Sequence, residues 1–595
     1  MRRTRTVPFA LVVAALAAGA HAGQTAKPSR PTKEKGLTQV ATYDPSFWVF
    51  GDVESDRLKL MHDLGFMGVT YWAADREGEG IRYFFDSPSL RRYDWATQER
   101  PNLTQYAAQA HANGLKVMVN MEGVNPYHWK AGRVKWTPEL IGEVMTDLHR
   151  DGADRWFTEC VAGWPSLFFA LADTGRRIGM EYQEGDDPSY VYYSDEETGQ
   201  RGFVDVYRRG HLMSMYHYQY RRDELGKSAS LAQEGSLAYA FARGWGMPTA
   251  MVYTVGHDWG ELPEYWEGIF KPSVAIRALQ FRVDDVMPIG VTDEKARRMD
   301  VAGLKRWVSG LVARNAQEHR PVLNLVAHLR RGDRAHWQDL AASGDAITSG
   351  AFHAGWDVVA STEPRSDADG YYIYTAGHDD AGTLDLTPEM AALFAGEKPV
   401  FLQVGFDLPS GTNLTPNWRA ALAACGVDPD GAFTPGDMPT QGTYRGMPFR
   451  YTGVFTAYEV RERPRGTLIP RAGVTGTVTA EGEGVPLIVS RGSKHLIPAN
   501  CIRWQMMGPI SDLLAGCGVR ASSDVWGIAG EKVTVLLATH DTDLDLVIPK
   551  LAKGATIAVT QWDKHHQITH HETVTYTGAY HRAMKQFDSI LIEAE

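Results

Sequence analysis

From about residue 45 the chain alternates between short apolar runs and longer stretches whose apolar positions recur at helical spacing, the pattern of a parallel α/β fold. Residues 46–51 (SFWVFG) predict a first strand and 56–64 its helix, closed by Gly65. Residues 67–73 (MGVTYWA) predict a second strand, ending in Tyr71 and Trp72. A helix over 103–112 leads into a third, 115–121 (LKVMVNM), which delivers Glu122, Asn125, Tyr127, His128 and Trp129 to the loop behind it. Thr137-Pro138-Glu139 opens the next helix, with proline where its missing N–H is harmless. Residues 155–161 (RWFTECV) predict a fourth strand carrying Glu159, and Trp164-Pro165 starts a helix to about Arg176. A fifth strand is expected in 177–187 (RIGMEYQEGDD), which begins apolar and ends in carboxylates, with Tyr190, Tyr192 and Tyr193 close behind. Residues 211–220 read equally as strand or helix. Residues 247–255, followed by Gly256-His257-Asp258-Trp259, predict a seventh strand, and 285–291 an eighth. Eight such units in roughly 250 residues match the size of a (β/α)8 TIM barrel, whose chemistry sits at the carboxyl ends of its strands.

A second α/β region follows, with short buried-type strands at 321–328, 356–360, 371–374 and 399–404. It predicts a flavodoxin-like sheet, and its first loop lacks the Gly-x-Gly-x-x-Gly cradle that a nucleotide would need. From about residue 440 the texture changes to short alternating strands broken by Gly, Pro and Asp, which predicts a β-sandwich. The expected organisation is a catalytic barrel over 41–317, a flavodoxin-like α/β domain over 318–437 and a C-terminal β-sandwich over 438–595. Three domains accord with 595 residues, more than one hydrophobic core accommodates.

Composition narrows the partners. A formal net charge of −11, without basic runs after the leader, argues against nucleic acid and anionic membrane surfaces, since both are bound through Lys and Arg. Residues 1–22 read as a signal peptide: Arg2, Arg3 and Arg5, an apolar run over 9–18, then Ala20-His21-Ala22 as a cleavage site. Residues 23–40 read as a flexible leader, and no later segment has the length of a membrane span. The mature protein is therefore expected to be secreted or periplasmic. Among four cysteines, Cys160 reads as a lone core thiol, and Cys501 with Cys517 is the preferred pair. No cofactor and no metal site is expected, the His pairs 565–566 and 570–571 reading as solvated positions. Homo-oligomerisation is left open.

The 17 Trp and 25 Tyr, many of them near predicted strand ends in the first half, direct attention to sugars. Aromatic faces stack on the apolar side of pyranose rings, and carboxylates accept bonds from hydroxyls. Glycoside hydrolysis needs one carboxylic acid to protonate the leaving oxygen and a second carboxylate to attack C1 or activate water. Glu159 is the expected general acid and Glu184 the base or nucleophile, with Glu181 as its substitute. Glu122, His128, His257 and Asp258 are expected to bind hydroxyls. Tyr71, Trp72, Tyr127, Trp129, Tyr192 and Trp259 are the candidate stacking platforms.

The order signal peptide, barrel, flavodoxin-like domain and β-sandwich resembles the family 42 β-galactosidases and their relatives among (β/α)8 glycoside hydrolases. Two segments add to the likeness: the fourth strand ending in Trp156-Phe157-Thr158-Glu159, and 484–500 (GVPLIVSRGSKHLIPAN), similar to a strand pair in the terminal domains of such enzymes. The resemblance implies a glycosidase with its acid/base Glu on strand four. In that clan this Glu follows Asn and the nucleophile ends strand seven. Here Thr158 precedes Glu159, and strand seven runs into Gly256-His257-Asp258. Two other readings use the same residues: a polysaccharide lyase acting through Tyr192, Tyr193, His128 or His257, and a glycan-binding protein without catalysis.

Overall fold

The structure is a computed structural model that describes residues 43–77, 80–92, 97–98, 102–121, 136–158, 165–184, 212–219, 231–232, 240–241, 249–253, 270–280, 283–315, 320–330, 334–379, 382–409, 413–439, 441–450, 454–455, 460–461, 465–500, 507–515, 520–521, 525–530, 532–538, 541–548 and 551–595. The expected signal peptide and leader lie outside them, as do Cys160, Cys501 and Cys517. Cys425 is a buried free thiol, and burial raises its pKa to about 12.

Eight parallel strands organise the first half: β1 (Ser46–Asp52), β2 (Gly68–Glu77), β3 (Lys116–Met121), β4 (Arg155–Thr158), β5 (Glu181–Glu184), β6 (Leu212–Gln219), β7 (Thr249–Tyr253) and β8 (Asp285–Pro288). Each pairs in parallel with its neighbours in sequence. β1 also pairs with β8, Ser46 opposite Asp285, so the pairings run round a closed ring. Helices Leu58–Asp63, Leu103–Ala112, Pro138–Arg150, Pro165–Ile178 and Phe270–Gln280 fall between consecutive strands. Of the ambiguous stretch at 211–220, Leu212–Gln219 is strand.

Local chemistry explains these elements. Helix Pro138–Arg150 starts where Thr137 Oγ1 accepts the Leu140 N–H at 3.2 Å, and it buries Leu140, Ile141, Val144, Met145 and Leu148 along one face. Such a cap contributes about 1 kcal/mol. The same Thr-Pro start opens Pro388–Ala395 and Pro416–Cys425. One expectation is corrected: residues 177–178 are not strand but the last turn of Pro165–Ile178. Arg176 and Arg177 suit the negative end of that helix, and Gly179, at φ +79°, ends it. β5 is thus only four residues long, and Glu184 is its last residue rather than part of the loop.

Alternation along the strands sorts side chains into two layers. Val49, Val69, Tyr71, Val117, Val119, Trp156, Tyr182 and Val286 join the apolar layer shared with the helices. Trp48, Phe50, Met118, Phe157 and Met287 form a separate cluster inside the ring, with Phe50 and Phe157 edge to face at 4.7 Å. Gly68 is required here, because a Cβ would stand 2.4 Å from the Trp48 ring.

The amino end of the ring is closed by a buried ionic cluster. Arg155 pairs with Asp285 at 2.9 Å, donates from Nε to Glu181 at 2.7 Å and to Gln183 Oε1 at 3.0 Å, and stacks 4.1 Å over Trp48. Trp48 Nε1 in turn donates to Asp285. Burial pushes the Asp285 carboxyl above its ordinary range, and the Arg155 charge opposes that shift.

Beyond the ring, the parallel strands Val322–His328, Asp357–Ser361, Gly370–Asp379 and Val400–Asp407 lie in the order 2-1-3-4. A fifth parallel strand, Lys494–Ile497, pairs with Val400–Asp407, and Val485–Arg491 and Thr477–Gly482 extend the sheet antiparallel. The expected boundary at 437/438 is therefore crossed by one sheet. The change of texture there marks a change in how strands are connected, from helices to hairpins, which the hydrophobic pattern registers before any change of sheet. The last part of the chain forms antiparallel sheets of five and three strands. They share one core, including Val525, Leu536, Ile557 and Ile590 from the larger and Leu544, Leu546, Tyr580 and Met584 from the smaller.

Two outcomes follow from the buried groups. Arg155→Met leaves Asp285 and Glu181 without their cation, and a broken buried pair costs about 3–5 kcal/mol; denaturant unfolding should show the loss. His353 is fully buried, with no hydrogen-bond partner for either ring nitrogen among the described residues, and burial lowers its pKa to about 4. Burial, followed by the Lys494 charge, lowers that of His495 to about 4 as well. Both stay neutral in the fold but take protons near 6.5 when unfolded, so their stability is present above that pH and is lost as pH falls towards 4. Each is worth on the order of 3 kcal/mol when complete. Melting temperature should fall across this window, and less steeply in His353→Met.

Candidate active site

The carboxyl ends of the ring strands form one rim. Thr158, the last residue of β4, stands in register with Glu184, the last of β5. Glu159, next after Thr158, lies outside the described residues. Adjacent strands are about 4.8 Å apart, within the span that two cooperating carboxyls need. Thr158 Oγ1 bonds the Tyr182 hydroxyl at 3.0 Å, both side chains being buried against the helix layer. Trp156 belongs to that layer as well, while Phe157 fills the ring interior.

Glu181 is corrected. It is the first residue of β5, not the last, and its carboxylate is held by Arg155 in the ionic cluster at the opposite end of the ring. Four residues are too few for both acids of the 181–184 stretch to reach one rim. Tyr71 is also corrected as a stacking platform. It is buried, its ring lies 4.8 Å from that of Tyr106 on helix Leu103–Ala112, and its hydroxyl donates to the Phe84 carbonyl at 3.4 Å. Burial, then the nearby Asp52 charge, raises its pKa above the ordinary tyrosine value. Alternation along β2 is the cause: Tyr71 shares the outward face of Val69. Trp72, its neighbour, is half-buried and in register with Asn120. Glu122, Tyr127, His128, Trp129, Tyr192, His257, Asp258 and Trp259 all lie outside the described residues.

Asp52 was missed by the sequence reading, which ended the first strand at Gly51. The strand continues one residue further, and its register against β2 shifts between Val49 and Asp52. Gly51 makes this bulge at φ +144°, a conformation that other residues rarely adopt. Bulges of this kind re-aim a side chain, and they are common beside active sites. The Asp52 carboxyl is exposed at the rim and accepts the Trp72 backbone N–H. Partial burial, then repulsion from Glu54, pushes its pKa above the usual carboxylate range, and the Trp72 bond opposes the shift. In the ring, β1 lies four strands from β5. The usable signal was an acid directly after a glycine at a strand end.

Among the described residues no group of three or more His, Cys, Asp or Glu is placed to hold a metal ion. His570 and His571 sit on a strand near the carboxyl terminus, His570 3.1 Å from Glu572 and His571 3.0 Å from Thr560 Oγ1. Among the described residues no helix is long and apolar enough to cross a membrane.

No family model matches the chain, and no curated protein matches it. Solved structures give only distant likeness. Pyruvate carboxylase from Rhizobium etli matches at 10% identity over 45% of this chain and 27% of its own, with a TM-score of 0.25. Orotidine 5'-monophosphate decarboxylase from Methanocaldococcus jannaschii matches at 8% identity over 46% of this chain and 99% of its own, also at 0.25. N-acetylneuraminic acid synthetase from Leptospira borgpetersenii matches at 9% over 43% of this chain and 77% of its own, again at 0.25. Similarity at this level carries no conclusion about the chemistry of this chain.

Proposed function

We propose that the protein is an exported glycoside hydrolase that cleaves a poly- or oligosaccharide by a two-carboxylate mechanism. The observation that carries this reading is the register of Thr158 with Glu184, which brings the ends of β4 and β5 side by side on one rim of a closed ring. In this reading Glu159 protonates the leaving oxygen and Glu184 attacks the anomeric carbon or activates water. The packed interior formed by Trp48, Phe50, Met118, Phe157 and Met287 supports it, since substrate is left with the rim alone. We further read the ring as a (β/α)8 barrel. The 2-1-3-4-5 order of the following parallel strands supports a flavodoxin-like domain. The two antiparallel sheets after it are read as a β-sandwich, and residues 1–22 as the signal that exports the chain.

The test is turnover on a panel of glycans, followed by reducing ends and by absorbance of unsaturated products. Glu159→Gln and Glu184→Gln should each lose about 10²–10⁴-fold in rate while melting within a few degrees of the wild type. Full activity in Glu159→Gln, or unsaturated products in place of new reducing ends alone, rejects the assignment. Asp52 is expected to hold a sugar hydroxyl across the mouth. A hydrogen bond to a charged group is worth about 1.5–3 kcal/mol, so Asp52→Asn should lower kcat/KM roughly 10- to 100-fold, mostly through KM. An unchanged KM removes Asp52 from the substrate path.

A further inference from the structure

The five-stranded sheet near the carboxyl terminus ends in strand Ile568–Thr575, which pairs with Thr556–Trp562 on one side and, among the described residues, with no strand on the other. Free edges of this kind are normally blunted by proline, lysine, shortness or a bulge, because their open N–H and C=O groups template another strand. This strand runs eight residues, ITHHETVT, without Pro, Gly or Lys. Its one irregularity leaves Thr569 as an extra residue at the start, and pairing is regular from His570 to Thr575. Ile568, beside that bulge, is 63% exposed.

The backbone shows which groups are open. Tyr576 donates its N–H to Ala555 and accepts from Gly554, so its polar groups face the neighbouring strand. Successive residues of an antiparallel strand alternate in this respect, so His571, Thr573 and Thr575 turn their N–H and C=O groups away from the sheet. Side chains then select a partner. Two copies of this strand, antiparallel about a two-fold axis normal to the sheet, must place residues of the same face opposite each other. With the axis at His571, each His570 faces Glu572 of the other copy, and each Ile568 lies beside the Val574–Thr575 end. An axis at Glu572 would set two carboxylates against each other, and one at His570 would set Ile568 against Glu572, whereas the axis at His571 opposes two imidazoles but gives each His570 a Glu572 partner. Glu572 already lies 3.1 Å from its own His570 and accepts from the Tyr580 hydroxyl at 2.7 Å, and a carboxylate has lone pairs for another donor.

We propose that this edge is a self-association surface: two chains join through residues 568–574 in antiparallel register about His571, making one ten-stranded sheet. A strand pair of this length covers less than the usual 1,600 Å² or so of a stable interface, so the dimer dissociates on dilution. This inference is independent of the catalytic reading.

Sedimentation equilibrium of the full chain over a wide concentration range should show the average mass rising from one chain towards two. Hydrogen exchange at the high end should slow the amides of His571 and Thr573. Thr573→Pro removes an outward N–H, which an edge strand tolerates. His571→Lys sets two cations opposite each other at the axis. Both variants should melt as the dilute wild type does and remain single chains throughout. A wild-type mass of one chain at the highest soluble concentration overturns the proposal. So does a dimer that survives both variants, or one that leaves those two amides in fast exchange.

Discussion

Closure of the ring depends on the Arg155 guanidinium. It is buried on β4, yet it reaches Asp285 on β8, Glu181 and Gln183 on β5 and the indole of Trp48 on β1. The buried Arg155 and Asp285 are costly to desolvate, and their mutual attraction in a low-dielectric interior returns that cost only when each is well paired. The geometry meets the requirement, since Trp48 Nε1 supplies a further donor to Asp285. A cluster that touches β1, β4, β5 and β8 at once fixes their stagger. Through that stagger it fixes which residues arrive together at the other end.

The opposite rim inherits its order from this plug. With Arg155 opposite Glu181, Thr158 must stand opposite Glu184 three residues later, because parallel partners advance in step. Above the ionic layer the interior is filled by aromatic and sulfur-bearing side chains, and Gln183 Nε2 even donates to the Met287 sulfur at 3.0 Å. The described part of the interior is thus packed. At β1 the regular advance is interrupted by the Gly51 bulge, and on β2 it shifts again between Trp72 and Ala74.

Buried polar networks tie the later sheet together as well. Asn500 Nδ2 donates to Asp339 on helix Arg334–His353, Tyr374 donates to the Asn500 carbonyl, and Gln403 links Tyr372 to the Ala499 carbonyl. These bonds join residues far apart in sequence, and they hold the returning segment at 494–500 to strands laid down nearly a hundred residues earlier. The segment 484–500 had looked like part of a terminal domain. Its place as the fifth parallel strand rests on contacts that no local pattern contains.

What the sequence determined by itself was what short-range chemistry decides. A Thr-Pro start bounded the helix over 138–150 and a glycine stop the helix over 103–112. Apolar alternation found the strands, and the repeated strand–helix period implied a parallel sheet. Only the tertiary structure decided which end of a short strand an acid occupies, and which face an aromatic shows. Glu181 and Glu184 are three residues apart and chemically alike, yet one is paired with Arg155 at the amino end of the ring and the other stands at the carboxyl end of its strand. Tyr71 and Trp72 are adjacent, yet one is packed under a helix. Asp52 was hidden because a bulge needs two strands to define it. Register, the closing of a ring and the pairing of buried charges are relations between distant segments, so their energies become legible only once those segments meet.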